Sequence, residues 1–143
     1  MISYESAVTI NRSPAEVFPY LVQPEKQALW SDVPMRPVTQ GELRQGSRME
    51  VTFGKGPLKA VLGLEITQLI ANETMAFKTY SGPIGWEGGY TLKPMGTTAT
   101  KVSQQGTLTF TGLWRLLQPL VGAEIKSGEI KELERLKTAA EGS

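Results

Sequence analysis

The sequence predicts an α+β fold: a seven-stranded antiparallel sheet, two short helices after the first strand and one long helix at the end. Three observations carry this. Apolar residues recur at period two through most of residues 2–110, the period of half-buried strands. Short turns built on Gly, Pro and Asn separate these runs, which suits antiparallel neighbours. Residues 112–140 are the one stretch long enough, and apolar enough at helical spacing, to lie across a sheet.

The first strand spans 2–10, with Tyr4, Ser6, Val8 and Ile10 opposed to Glu5, Ala7 and Thr9. Ser13-Pro14-Ala15-Glu16 then carries a helix start: a capping serine, a proline at the first helical position and a glutamate three residues after the cap. Val17, Phe18, Leu21 and Val22 form the inner face of that helix, and Pro19 keeps it short or bent. Pro24 restarts a second short helix that runs through Leu29 and Trp30, the latter a core residue by the burial preference of aromatics. A short strand is expected within 38–43, with turns at Gly41 and Gly46. Strands follow at 48–53, 58–67, 75–79, 86–92 and 98–110, separated by Gly54-Lys55-Gly56-Pro57, Asn72-Glu73, Gly82-Pro83 and Pro94-Met95-Gly96.

In the last segment Leu113, Trp114, Leu117, Leu120, Val121 and Ile125 share one helical face, whereas Ile130, Leu133, Leu136 and Ala140 fall nearly opposite. An irregularity near Pro119, Gly122 or Gly128 accounts for the switch. The second half, with Glu129, Lys131, Glu132, Glu134, Arg135 and Lys137 on its wet side, is read as docked on the sheet; the first half must cover a cavity rim, a partner or a lipid.

At 143 residues, with no repeat or linker, a single domain over 1–143 is expected. Cysteine and histidine are both absent, which removes disulfides, cysteine nucleophiles, the Ser-His-Asp relay and the usual zinc or non-haem iron ligand sets. No metal or cofactor is expected. Fifteen basic and fourteen acidic residues leave a net charge of +1 without long like-charge runs, so nucleic acid is not the indicated partner. The opening Met1-Ile2-Ser3-Tyr4 has neither a basic nor an apolar leader region, and no run reaches the ~20 apolar residues of a membrane span. A cytoplasmic location is the resulting expectation.

The order strand, two short helices, six strands and long helix resembles the helix-grip superfamily of START lipid-transfer domains, polyketide cyclase/dehydrase-like proteins and the major birch-pollen allergen. The stretches that carry the likeness are Ser13-Pro14-Ala15-Glu16-Val17-Phe18, Trp30, Gly89-Tyr90-Thr91-Leu92-Lys93-Pro94 with Gly96-Thr97-Thr98, and Leu133-Glu134-Arg135-Leu136-Lys137. The resemblance implies a strongly curved sheet wrapped around the terminal helix, with an elongated cavity between them roomy enough for a small guest. Strand parity then predicts its lining: Met49, Val51, Phe53, Leu62, Leu64, Phe77, Trp86, Tyr90, Val102 and Gln104, with Leu117 and Val121 from the helix.

On that reading the chain binds or carries a hydrophobic small molecule or lipid. Two alternatives stay open: a polyketide cyclase/dehydrase-like enzyme using Tyr90, Gln104 or Asp32, and a protein-interaction module of the Hsp90-activator type. No catalytic residue is assigned, because without histidine the commonest general base near neutral pH is missing. Glu65 and Glu87 fall on the outer face by parity, as do Arg48 and Glu50, where a cross-strand ion pair is expected. Gly88 in mid-strand points to curvature or a close approach. A homodimer and a transient membrane contact through residues 113–121 are the further partner readings.

Overall fold

The structure, a computed structural model, describes residues 2–31, 35–53 and 59–142, without the side chains of Phe53, Leu113, Leu117 and residues 120–129. Its elements are β1 (Ile2–Ile10), α1 (Pro14–Val22), α2 (Pro24–Gln27), β2 (Arg36–Pro37), β3 (Arg48–Phe53), β4 (Ala60–Ile70), β5 (Thr74–Ser81), β6 (Ile84–Pro94), β7 (Thr100–Phe110), a 3-10 segment (Gly112–Leu117) and α3 (Gln118–Glu141). All seven strands join one antiparallel sheet in the order β1-β7-β6-β5-β4-β3-β2. The meander from β2 to β7 is closed by β1 pairing with β7, which is the α+β helix-grip arrangement expected from the sequence.

Alternation decides which side of each strand is dry. In β7, Thr100, Val102, Gln104, Gly106, Leu108 and Phe110 are buried while their neighbours are exposed or half-buried. Register carries that inner face across the sheet: Leu92 opposes Val102, Tyr90 opposes Gln104, Met75 opposes Tyr90, Ile66 opposes Phe77 and Met49 opposes Leu64. Register shifts between Gly63 and Leu64 and between Ile66 and Gln68 bend β4 without moving Glu65 off the outer face, where it opposes Lys78.

The helix start at Ser13 forms as the residue pattern requires. Glu16 Oε1 accepts from the Ser13 hydroxyl at 2.9 Å and from the Ser13 amide at 3.4 Å. Despite Pro19, α1 runs nine residues, burying Val17, Phe18, Tyr20 and Leu21.

Two expectations are corrected, and the irregularity expected near Pro119, Gly122 or Gly128 is located. Residues 38–43 are not a strand; pairing is limited to Arg36–Pro37, because the amides of Val38 and Thr39 both turn onto the Arg48 carbonyl and Gly41 and Gly46 take positive φ. The irregularity in the terminal segment lies ahead of Pro119, at the change from 3-10 to α-helix, and α3 then continues through Gly122 and Gly128. On α3, Ile130 is 54% exposed and Glu132 only 5%, so the buried stripe is Glu132, Leu133, Leu136 and Ala140. The spacing of four between 132, 136 and 140 is the helical repeat of one face.

Inside the sheet two opposed glycines, Gly88 and Gly106, lie in register with Tyr4 of β1 and Phe77 of β5. The Tyr4 ring lies over Gly106, so that a Cβ there would meet two carbons of that ring and its hydroxyl oxygen before anything else. Its hydroxyl accepts a hydrogen bond from Trp86 Nε1 at 2.8 Å, and Trp86 meets Phe77 edge to face at 4.6 Å. At Gly88 a Cβ would come within 2.6 Å of the Gln105 carbonyl, so the close approach expected there is found.

The far end of α3 is clasped to the β1–α1 turn. Glu141 Oε2 accepts from the Asn11 amide at 2.8 Å and from Lys137 Nζ at 2.5 Å, Lys137 also donates to the Thr9 carbonyl at 2.8 Å, and Arg12 donates to the Glu141 carbonyl. The Asn11 amide, followed by the Lys137 ammonium, holds the Glu141 carboxyl below its ordinary value.

This packing has two measurable consequences. Gly106→Ala should destabilise the protein by about 1–3 kcal/mol through overpacking against Tyr4, and by much less in a Tyr4→Ala background; urea denaturation of the four proteins checks the coupling. Because the folded pKa of Glu141 is depressed, its contribution is present above the ordinary glutamate pKa and is lost as pH falls through the lowered folded value. Melting temperatures of wild type and Glu141→Gln should therefore differ by a constant amount near neutral pH and converge below about pH 4.

Candidate functional site

Between the inner face and α3 a small enclosed space is bounded by Gln27, Ser31, Met35, Val51, Leu64, Met75, Phe77, Trp86, Tyr90 and Glu132. Five of these, Val51, Leu64, Phe77, Trp86 and Tyr90, belong to the lining that strand parity predicts. Met49, Leu62, Val102 and Gln104 share the dry face and are buried, but do not bound the space. The predicted contributions of Phe53, Leu117 and Val121 fall on side chains outside those described, and Asp32 lies outside the described residues altogether.

Five lining residues were missing from the sequence-based set. Met75 had a legible signal, since it alternates with Phe77 on the same strand face. Gln27, Ser31 and Met35 come from α2 and the following chain, which no strand parity reaches. Gln27 organises that corner: its backbone carbonyl receives the amides of Trp30 and Ser31 at 3.1 and 3.0 Å, and its side-chain oxygen receives the Met35 amide at 2.7 Å. Glu132 was assigned to solvent because it is charged. The position of α3 against α2 and the sheet overrides that assignment, and only the spacing of four to Leu136 hinted at it.

Among the described side chains, the space found is smaller than the cavity the resemblance implied. It measures about 20 Å³, room for roughly one water, so the void for a larger guest is not found among the described side chains. The Tyr4–Trp86–Phe77 group fills the strip above the paired glycines, and Leu133 and Leu136 of α3 are completely or almost completely buried. A wider hollow of about 660 Å³ lies on the outer face, flanked by Glu5, Thr67, Glu87 and Gln105, where exposed side chains border open solvent. That hollow lacks the enclosure of a small-molecule site.

Polar groups are nevertheless concentrated at the inner cavity. Tyr90 sits edge-on to Trp30 at 6.0 Å, and Trp30 is itself fixed by donation from its Nε1 to the Tyr20 carbonyl at 2.8 Å. Arg135, one turn beyond Glu132, donates from Nε to the Trp30 carbonyl at 3.0 Å, tying α3 to α2 beside the cavity. Gln104 donates to Ser6 Oγ at 2.9 Å, which directs its amide toward β1.

The outer face is ionic, as parity predicts. Arg48 pairs with Glu65 at 3.2 Å and stacks over Tyr80 at 4.3 Å, while Arg36 pairs with Glu50. The cross-strand ion pairing expected at Arg48 and Glu50 is found for both, since register sets Arg48 opposite Glu65 and Arg36 opposite Glu50. Among the described residues no group of three or more carboxylates could hold a metal ion, and no helix is long and apolar enough to cross a membrane. In the stretch read as a membrane or partner contact, Leu116 is 79% exposed and Trp114 half-buried.

No curated protein gives a significant sequence match. Solved structures share the fold at low identity. TTHA0849 from Thermus thermophilus matches with a TM-score of 0.79 at 17% identity, over 96% of both chains. The Zhui aromatase/cyclase from Streptomyces sp. R1128 matches with a TM-score of 0.79 at 11% identity, over 97% of this chain and 93% of that one. The Aha1 dimer from Colwellia psychrerythraea matches with a TM-score of 0.69 at 20% identity, over 99% and 97%. At such identities the likeness is one of fold. The family model described as polyketide cyclase/dehydrase and lipid transport matches residues 1–141, and with sheet, helices and inner face all in the corresponding order, the chain belongs to that family.

Proposed function

We propose that this protein binds a hydrophobic small molecule or lipid between the inner face of the sheet and α3. The observation that supports this best is the character of the inner cavity: apolar side chains from β3, β4, β5 and β6 meet hydrogen-bonding groups from α2, β6 and α3 at one enclosed point. A mostly apolar wall with a few convergent polar groups is what a small-molecule site requires. The family's association with polyketide cyclisation and lipid transport supports the same reading.

Binding then requires the wall to move. Met35 and Met75 both border the cavity, and methionine, unbranched with three rotatable side-chain bonds, repacks at low cost. Met35 borders the cavity from just ahead of β2, outside the sheet. A guest entering beside it would displace side chain, not strand.

Native mass spectrometry of freshly purified protein should reveal a co-purifying apolar compound, and an uncharged polarity-sensitive dye should bind with enhanced fluorescence. Met35→Ala, which enlarges the cavity, should tighten dye binding while lowering stability by about 2–5 kcal/mol. A protein that carries no compound and refuses the dye in both forms would exclude this function.

A further inference from the structure

We infer that the outer face of the sheet is the contact surface of a homodimer, in which two copies meet about a two-fold axis and Lys93 and Lys101 of one lie against Glu5 and Glu87 of the other. This goes beyond the binding function proposed above and does not depend on it. On β1, β7 and β6 the outer face is divided by charge. Lys93 and Lys101 stand directly opposite each other at one end, both exposed. Glu5 and Glu87, also exposed, flank the outer hollow at the other end, and the described residues that line the hollow include no lysine or arginine. Among the described residues, none of these four side chains is joined to an opposite charge. Like charges directly opposite each other destabilise a sheet, and carboxylates from a second copy offset that repulsion.

The spacing of the two poles is self-complementary. A two-fold axis lying in the contact plane and across the strands turns one copy end for end, so it exchanges the poles while keeping each strand over its own counterpart. On β6 the point midway between Glu87 and Lys93 is Tyr90. On β7 the point midway between Lys101 and Gln105, the residue opposite Glu5, is Ser103, whose partner on β6 is Thr91. The two midpoints differ by a single strand step of about 3.3 Å, so one axis brings both sets of charges within reach of a lysine side chain.

In the rows between the poles the side chains are short, Gln105 excepted: Ala7, Ser103 and Thr91 in one, Gly89 and Ala76 in the next. Short side chains let two sheets approach to about the 10 Å of face-to-face packing. Beyond β6 the division by charge ends, because Lys78 lies opposite both Glu87 and Glu65, and Glu65 is paired with Arg48. Glu73 stands beside the lysine end, its carbonyl accepting from the Leu92 amide, and is joined to neither lysine. A second copy answers both poles at once, whereas an acidic partner or surface would meet the glutamates with like charge.

Sedimentation velocity should show a dimer at about 20 mM salt and association at least about tenfold weaker at about 500 mM, where the Debye length has shrunk to roughly 4 Å. The double variants Lys93→Glu/Lys101→Glu and Glu5→Lys/Glu87→Lys, with folding verified by circular dichroism, should each sediment as monomers at low salt. An equimolar mixture of the two should recover a dimer, since every facing charge is again opposed. Carbodiimide, which joins a lysine only to a carboxylate it touches, tests wild type directly should a variant not fold. Lys93 and Glu87 of one chain lie about 20 Å apart along β6, so mass spectrometry should find them cross-linked only between isotopically light and heavy copies. A monomeric wild type at low salt, variants that still dimerise, a mixture that stays monomeric or the absence of that cross-link overturns the interface, and each leaves the ligand-binding function standing.

Discussion

The interior of this protein depends on one tyrosine lying across two glycines. Gly106 and Gly88 face each other in adjacent strands, and the absence of side chains there lets the Tyr4 ring lie over the backbone and its hydroxyl reach Trp86. Trp86 then turns its ring edge-to-face with Phe77, and the three aromatics together occupy the middle of the inner face. Among the described side chains, the space found under α3 is bounded by β3 to β6, the α2 corner and Glu132 of α3. Two of the three aromatics, Phe77 and Trp86, also bound that space, so the steric allowance made in β6 and β7 bears on it directly.

At the α2 corner the packing is polar through the needs of the backbone as much as through the side chains. At Met35 the chain is buried again, so its amide needs an acceptor, and the Gln27 side chain supplies it. The same corner is held from the other side by Arg135, whose Nε reaches the Trp30 carbonyl. Trp30 is therefore fixed at both its ring nitrogen and its backbone, and its ring supports Tyr90. Fixing Tyr90 in this way positions a hydroxyl-bearing ring at the cavity from a rigid strand. Glu132 is carried on α3, whose end is clasped through Glu141 to the β1–α1 turn.

Much of the fold was legible before any coordinates. Period-two alternation placed every long strand on the correct face, and Ser13 to Glu16 marked the start of α1 because capping is a local interaction between residues three apart. Where the reading went astray, the deciding contacts were distant in sequence. Residues 38–43 read as a short strand, yet the amides of Val38 and Thr39 are both captured by the Arg48 carbonyl. Ile130 and Glu132 were sorted by polarity, although their burial depends on which side of α3 faces β1 and α2.

The chain by itself determined the strand faces, the antiparallel meander, the helix starts and the exclusion of histidine and cysteine chemistry, since each of these rests on residue type or on neighbours a few positions apart. The tertiary structure alone decided how much room remains between the described side chains of the sheet and α3, and that a glutamate borders it. Cavity volume is the small remainder after large side chains from distant elements have packed. A carboxylate is drawn into such a place by the helix that carries it, because Glu132 shares a stripe with Leu136 and Ala140 that must face the core.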